Sequence, residues 1–302
     1  MVPLPVLRSP FQTAFAVRFI AVVYANPRGI GGIKGIAMNR DRRQGCSPRL
    51  LIAAGIAVFS ACSYFRLSQT NPVTGEKQRI NVTPQQEIAL GLQAVPQMVQ
   101  EYGGPDSNEK AQAAVDEVGR NIVARSDASK GVYQYEFTVL ADGKTVNAFA
   151  LPGGQVFITR ALLARLKTKD QLAGVLSHEI VHVVGRHGAE QLARQQFAQG
   201  LTGAAVVASV DPGDPRTYKN AAVAQAVSSL VNLRYGREDE LESDRLGVRY
   251  MKQAGYDPRG MIEVMKILAQ AGGSGGPEFF QSHPNPENRI KKIEEAIRAE
   301  GG

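Results

Sequence analysis

The sequence predicts a mostly helical α+β fold carrying a small three-stranded sheet, and three observations lead there. The run Tyr133-Gln134-Tyr135-Glu136-Phe137-Thr138-Val139 alternates in polarity with the period of a strand. Two more short strands follow near residues 145–150 and 155–158, separated by the turn residues Pro152-Gly153-Gly154. Beyond them the pattern is helical, and neither a repeat nor a mid-chain linker divides the chain. One α+β domain over residues 62–302 is the expectation.

Residues 1–61 read as a leader. From Met38, the run Asn39-Arg40-Asp41-Arg42-Arg43 forms a positive n-region, and an apolar stretch over residues 50–59 leads into Ser60-Ala61-Cys62. That stretch is too short to span a bilayer as a mature helix and has the layout of a secretory signal peptide. Small residues directly before Cys62 resemble a lipobox, although Phe59 stands where that pattern prefers Leu. Lipidation of Cys62 is the preferred reading over simple cleavage after Ala61. Residues 1–37 have no role in this scheme, which makes Met38 the expected start, with one long leader as the alternative.

Charge supports the division. Residues 1–61 hold eight of the 35 Lys and Arg but one of the 28 Asp and Glu, leaving 27 of each sign in residues 62–302. The net charge of +7 therefore belongs to the leader and does not point to nucleic acid. Of the two cysteines, Cys46 falls within the leader, so an acylated Cys62 would leave no free thiol and no disulfide. Thiol-based catalysis is excluded on that reading. The several acyl chains of a mature lipoprotein would hold the protein firmly at a membrane surface.

Within the mature region, Asn71-Pro72-Val73-Thr74-Gly75 marks a turn. A helix is expected from Pro84 with Thr83 as its cap, running through Ile88, Leu90 and Val95 until Gly103, Gly104 and Pro105 break it. A second helix covers residues 107–125. The segment 197–233 is rich in Ala and Val and is broken by Asp211-Pro212-Gly213-Asp214-Pro215. It reads as a helical hairpin packed on the core in preference to a cover over the site.

The chemistry concentrates on one helix. It opens with the capping box Thr168-Lys169-Asp170-Gln171, and Leu172, Val175, Leu176, Ile180 and Val183 recur at helical spacing. His178 and His182 project from one side, four residues apart, a spacing at which two imidazoles bind one Zn²⁺ with Glu179 beside the metal's open position. The third ligand decides the subtype. A third His six residues after His182 would indicate a metzincin, but that position is Gly188. His187 is one residue out of register, rotated by about 100° on a helix, and is expected to pack or hydrogen-bond near the site. Downstream, Glu238-Asp239-Glu240-Leu241-Glu242-Ser243-Asp244-Arg245 offers Glu240 and Asp244 on one helix face. Glu240 as ligand, with Asp244 orienting a zinc-bound His, is a coherent arrangement. That helix is expected to stop at Gly255, with Asp257-Pro258 opening another.

At these residues the chain resembles the HtpX-like, or type-one CAAX-protease-like, family of gluzincins, in the soluble exported lipoprotein branch that includes BepA-like and LoiP-like proteins. The resemblance covers nearly all of residues 71–295. It rests on Asn71-Pro72-Val73-Thr74-Gly75, Asn147-Ala148-Phe149-Ala150-Leu151-Pro152-Gly153-Gly154, Ser177-His178-Glu179-Ile180-Val181-His182, the Glu240 to Asp244 segment and Ser282-His283-Pro284. The family's Glu-x-x-Ala-Asp motif maps its third ligand onto Glu240 and not Glu242, with Ser243 in place of the usual Ala.

The resemblance implies a zincin-type metalloendopeptidase with one Zn²⁺ per chain, held by His178, His182 and Glu240. Glu179 is then the catalytic base. A strand edge at Asn147, Ala148 and Phe149 would bind polypeptide substrates in extended form by backbone pairing. His283 is implied either as an oxyanion stabiliser or as a fourth ligand that keeps the enzyme latent. The implied setting is the bacterial cell envelope, in the periplasm and lipid-anchored to the outer membrane through Cys62. Quality control of unfolded or misassembled envelope proteins is the expected role. The alternative is a zinc-containing periplasmic chaperone or outer-membrane assembly factor with little or latent proteolysis.

Overall fold

The structure is a computed structural model that describes residues 48–209, 235–271, 277–284 and 288–301, all within a unit spanning residues 46–302. Its first helix, α1 (Pro48–Arg66), runs on through Cys62, whose thiol is free and exposed. The apolar run was expected to close at Phe59. The helix instead continues because no charge or breaker interrupts it before Arg66. At 19 residues it is long and apolar enough to cross a membrane by length and composition, a test that a signal sequence near the N-terminus also passes. Met38 and Cys46 lie outside the described residues, as does the expected hairpin segment beyond Ser209.

Strands β1 (Ser68–Thr70) and β2 (Lys77–Arg79) pair antiparallel around the Asn71 turn. Asn71 Oδ1 accepts from the Val73 and Thr74 amides at 2.8 and 3.1 Å, an Asx turn. Its Nδ2 donates to the Val184 carbonyl at 2.8 Å, and Gln78 Nε2 donates to the Gly185 carbonyl. These side chains satisfy carbonyls at the end of the helix that carries His178 and His182, where no intrahelical donor is available. The turn thus anchors the far end of the functional helix.

Helix α2 (Pro84–Glu101) begins with both halves of a capping box, Thr83 Oγ1 accepting from the Gln86 amide and Gln86 Oε1 from the Thr83 amide. It ends at Gly103 and Gly104, whose φ values of 79° and 87° only glycine adopts at low cost. Helix α3 (Glu109–Arg125) is capped by Asn108. It lies close on the sheet at Gly119, where an added Cβ would come within 2.5 Å of the Phe137 ring.

The sheet comprises β3 (Glu136–Leu140), β4 (Ala148–Leu151) and β5 (Gln155–Thr159) in the order β3-β5-β4. β3 runs parallel to β5 and β4 antiparallel to it, which leaves β4 at an edge. The short helix α4 (Arg160–Leu163) leads into α5 (Lys169–Val184), followed by α6 (His187–Ser209), α7 (Arg237–Gln253), α8 (Arg259–Ala271), α9 (Phe279–Ser282) and α10 (Arg289–Ala299).

Every residue of α5 from Gln171 to Val184 is buried. The helix is apolar on most of its circumference, so it is stable only when enclosed. It packs against α3, α7, α8 and the sheet, and its apolar side chains join one core that includes Val115, Ile158, Leu246, Val248, Met261 and Ile293. A smaller cluster of Tyr102, Leu140, Phe149, Leu151 and Phe157 fills the space between α2 and the sheet. The mostly helical α+β class expected from the sequence is the class observed.

Candidate metal centre

Thr168 caps α5, its hydroxyl accepting from the Gln171 amide at 3.2 Å. About three and four turns later, His178 and His182 point to the same side and lie against α7. There Glu240 stands in the first turn, and α9 brings in His283 from the C-terminal region. One ligand atom from each of His178, His182, Glu240 and His283 lies within 4.8 Å of the other three, and all four residues are buried.

The pairwise distances test whether the set suits zinc. His178 Nε2 is 3.1 Å from His182 Nε2 and 3.4 Å from His283 Nδ1. Glu240 carboxylate oxygens lie 3.5 Å from His178 Nε2, 3.5 Å from His182 Nε2 and 3.0 Å from His283 Nδ1. A tetrahedral ion with ligands at about 2.0–2.1 Å separates them by about 3.3 Å. The chemistry agrees: imidazole nitrogens and one carboxylate are zinc donors. Glu240 Oε2, His283 Nε2 and both Glu179 oxygens are buried without a hydrogen-bond partner among the described residues, a costly state for a protein that leaves them to protein atoms alone. The residues present fit the metal.

A second ring of contacts orients the first. His178 Nδ1 lies 3.0 Å from Asp244 Oδ1, so the sequence-predicted carboxylate behind the His is in place. Arg289 of α10, not among the site residues expected from the sequence, grips Asp244 through Nε at 2.6 Å and Nη2 at 2.9 Å. Its Nη1 is 3.0 Å from Glu240 Oε2, an ion pair by distance although off the hydrogen-bonding direction. Arg289 is 2% exposed. A signal for it exists in the sequence, since Arg289 shares the i, i+4, i+7 stripe with Ile293 and Ala296, an odd place for a charge.

The electrostatics follow from burial and these partners. Burial opposes the charged form of Asp244, but the Arg289 guanidinium and His178 outweigh it and hold the carboxyl below the ordinary range. For Glu240, burial is likewise overcome by His283, His178 and His182, which hold it well below that range. Glu179 differs: burial dominates and raises its carboxyl. Among protein groups alone, burial also pulls His182 well down, which favours the neutral imidazole that a metal requires. His178 resists that pull, because Asp244 and Glu240 raise it to about 9.

Asn147 is buried just ahead of β4. Its side chain does not lie open on a strand edge. Nδ2 donates to Tyr102 Oη at 3.1 Å and to Glu278 Oε1 at 3.2 Å, and Tyr102 Oη itself donates to Glu278. Beside this cluster the Phe279 amide donates to the Val146 carbonyl at 3.3 Å. The residues leading into His283 are therefore tied to the chain entering β4. Ala148 and Phe149 are buried, Phe149 within the smaller apolar cluster. Tyr235 stacks on His182 with ring centroids 3.9 Å apart, and its hydroxyl reaches the Ala150 carbonyl at 3.4 Å.

Comparison with known proteins identifies the family. Residues 109–297 match peptidase family M48. The chain belongs to peptidase family M48. It is similar to the mitochondrial metalloendopeptidase OMA1 of Schizosaccharomyces pombe, 31% identical over 265 residues, covering 85% of this chain and 73% of that protein. It is also similar to the beta-barrel assembly-enhancing protease of Escherichia coli, 31% identical over 188 residues, covering 58% of this chain but only 37% of that protein. A more distant likeness is to mitochondrial OMA1 of Bos taurus, 25% identical over 244 residues and spanning 47% of it. M48 membership bears out the family resemblance, the metallopeptidase class and the zinc dependence expected from the sequence.

Proposed function

We propose that this chain is an exported zinc endopeptidase that cleaves unfolded or misassembled proteins of the cell envelope. His178, His182 and Glu240 would hold the metal, Glu179 would act as base, and Asp244 would orient His178. The convergence of three imidazoles and a carboxylate from α5, α7 and α9 on one point, with unpartnered Glu179 beside it, carries this reading.

Bound zinc would supply Lewis acidity, bringing a water to a pKa of about 7 and polarising the scissile carbonyl. Glu179 takes the proton released as the water attacks and returns a proton to the leaving nitrogen. Burial of Glu179 and of the ligand residues limits competing solvent at the site. An extended substrate would pair with the β4 edge, which selects loosened chain over folded protein. The envelope location, the leader ending near Cys62 and a lipid anchor there belong to the same proposal. The similarity to the E. coli assembly-enhancing protease supports it and extends it to outer-membrane assembly machinery as a partner. The test is direct. Purified protein should contain one zinc per chain and cleave casein, and a chelator should abolish cleavage until zinc is restored. Zinc-free protein with full activity would overturn the proposal.

His283 is the fourth member of the cluster, and its Nδ1 faces Glu240 and His178 while Nε2 stands 3.6 Å from Glu179 Oε1. This placement favours the latent-ligand role over oxyanion stabilisation. His283→Ala is expected to keep zinc and raise casein cleavage several-fold, because three ligands remain and the fourth position opens to water. Unchanged activity and unchanged zinc content would remove His283 from the mechanism. The closed four-residue set also keeps the assembly-factor reading in play, with proteolysis latent until a partner displaces α9.

A further inference from the structure

His187 lies just outside the ligand cluster and has no part in the mechanism above. Its ring is 1% exposed and faces His182 across an unusual pair of atoms, Nδ1 to Nδ1, at 2.9 Å. On the other side, His187 Nε2 is 3.3 Å from Glu242 Oε2. The backbone is bent to make this contact. On an uninterrupted helix, His187 would point about 140° away from His182. Instead α5 ends at Val184, and Arg186 takes a left-handed φ of 56°, a conformation that costs a non-glycine residue energy. Arg186 is held there by an ion pair with Glu87 and by donation to the Val82 carbonyl at 2.9 Å. Gly185 completes the arrangement, since a Cβ there would come within 2.4 Å of His187 Nε2.

The proton count then determines the direction of the chain of bonds. Two facing Nδ1 atoms can share one proton. His182 Nε2 faces the other ligand atoms, so a metal there takes its lone pair and leaves the imidazole proton on Nδ1. With zinc on Nε2, His182 Nδ1 would donate to His187 Nδ1 at 2.9 Å, and His187 would carry its own proton on Nε2, facing Glu242 Oε2 at 3.3 Å. We infer that His187, with Glu242 behind it, is a positioning residue that fixes the tautomer and aim of His182 as a zinc ligand. The centre thus has two independent supports: Asp244 and Arg289 behind His178, His187 and Glu242 behind His182. Carboxylate-backed partners of this kind change metal affinity by about 10–100-fold.

This inference rests on the proposal that His182 binds zinc. The experiment measures zinc affinity in the full chain by competition with a chromophoric chelator, for wild type, His182→Ala, His187→Leu and His187→Asn. His187→Leu keeps the volume but leaves the His182 Nδ1–H without an acceptor, and its zinc affinity is expected to fall about 10–100-fold. His187→Asn places an amide oxygen near the lost Nδ1 and is expected to recover most of that loss. Melting temperatures in excess chelator should be alike for both variants, and nitrogen-15 spectra of the zinc-loaded wild type should show the His187 proton on Nε2. Wild-type affinity in His187→Leu would overturn the inference, as would equal losses in Leu and Asn variants with lowered chelated melting temperatures. Zinc retained at full affinity by His182→Ala would instead overturn the ligand assignment itself.

Discussion

Glu179→Gln is expected to leave folding and zinc content unchanged while casein cleavage falls by at least about 10²–10⁴-fold, the usual contribution of a positioned general base. The substitution is nearly isosteric at a side chain with no measurable exposure, so it creates no cavity. Neither carboxylate oxygen has a hydrogen-bond partner among the described residues, so no structural bond is lost there. What disappears is the capacity to accept a proton. Zinc content and melting temperature measured beside the cleavage rate separate this outcome from misfolding. Residual activity within a few-fold of wild type would reject Glu179 as the base. The same variant divides the two functional readings, because an envelope defect fully rescued by Glu179→Gln would favour an assembly role in which proteolysis is dispensable.

Arg289→Leu has the second large expected effect, on stability. Arg289 is the cation against two buried carboxylates, bidentate on Asp244 and 3.0 Å from Glu240. Removing one partner of a buried ion pair leaves uncompensated charge, at a cost of about 3–5 kcal/mol. Leu fits the apolar stripe of α10 and fills part of the volume, so the loss is mainly electrostatic. Zinc would neutralise Glu240 in part, which makes the loss smaller in zinc-loaded protein than in chelated protein. Urea unfolding with and without zinc measures both. Equal small losses, below about 1 kcal/mol, would show that the carboxylates are satisfied by other means. Arg289→Lys should fall between the two proteins, because an ammonium cannot grip Asp244 with two parallel bonds.

Much of the scaffold was legible locally. The cap at Thr83 and the box at Thr168 marked helix starts to within a residue, and Gly103, Gly104 and Gly255, all at positive φ, marked stops. The strand signals were less exact at their ends, with residues 133–139 expected and Glu136–Leu140 observed. The β1–β2 hairpin escaped because three-residue strands of polar, largely exposed side chains carry no alternation. Asn71 was legible as a turn residue, but its bond to Val184 spans 113 positions and has no sequence period.

The site divides in the same way. His178, Glu179 and His182 belong to one stretch of a single helix, the two His four positions apart, so spacing alone brings them together. Glu240 and Asp244 could be paired with each other from spacing, but which zinc-bound His Asp244 faces could not. Arg289 and His187 show what spacing cannot supply. Arg289 reaches Asp244 only because α10 packs on α7, and His187 reaches His182 only because the chain turns at Arg186. Asn147 shows the reverse case, a strand-edge residue whose amide is taken by Tyr102 and Glu278 from two other elements.

By itself, then, the sequence determined the helix that bears the chemistry, the donor types, the helical character of the chain and the neutral balance of residues 62–302. Those properties depend on periodicity, caps and composition, which act over a few residues. Only the tertiary structure decided that α9 delivers His283 to the ligand set, that Arg289 compensates the buried carboxylates, and that His187 lies behind His182. Each of these joins groups far apart in the chain or on opposite sides of a bend. Their cost of burial is repaid only when packing has already placed the partner.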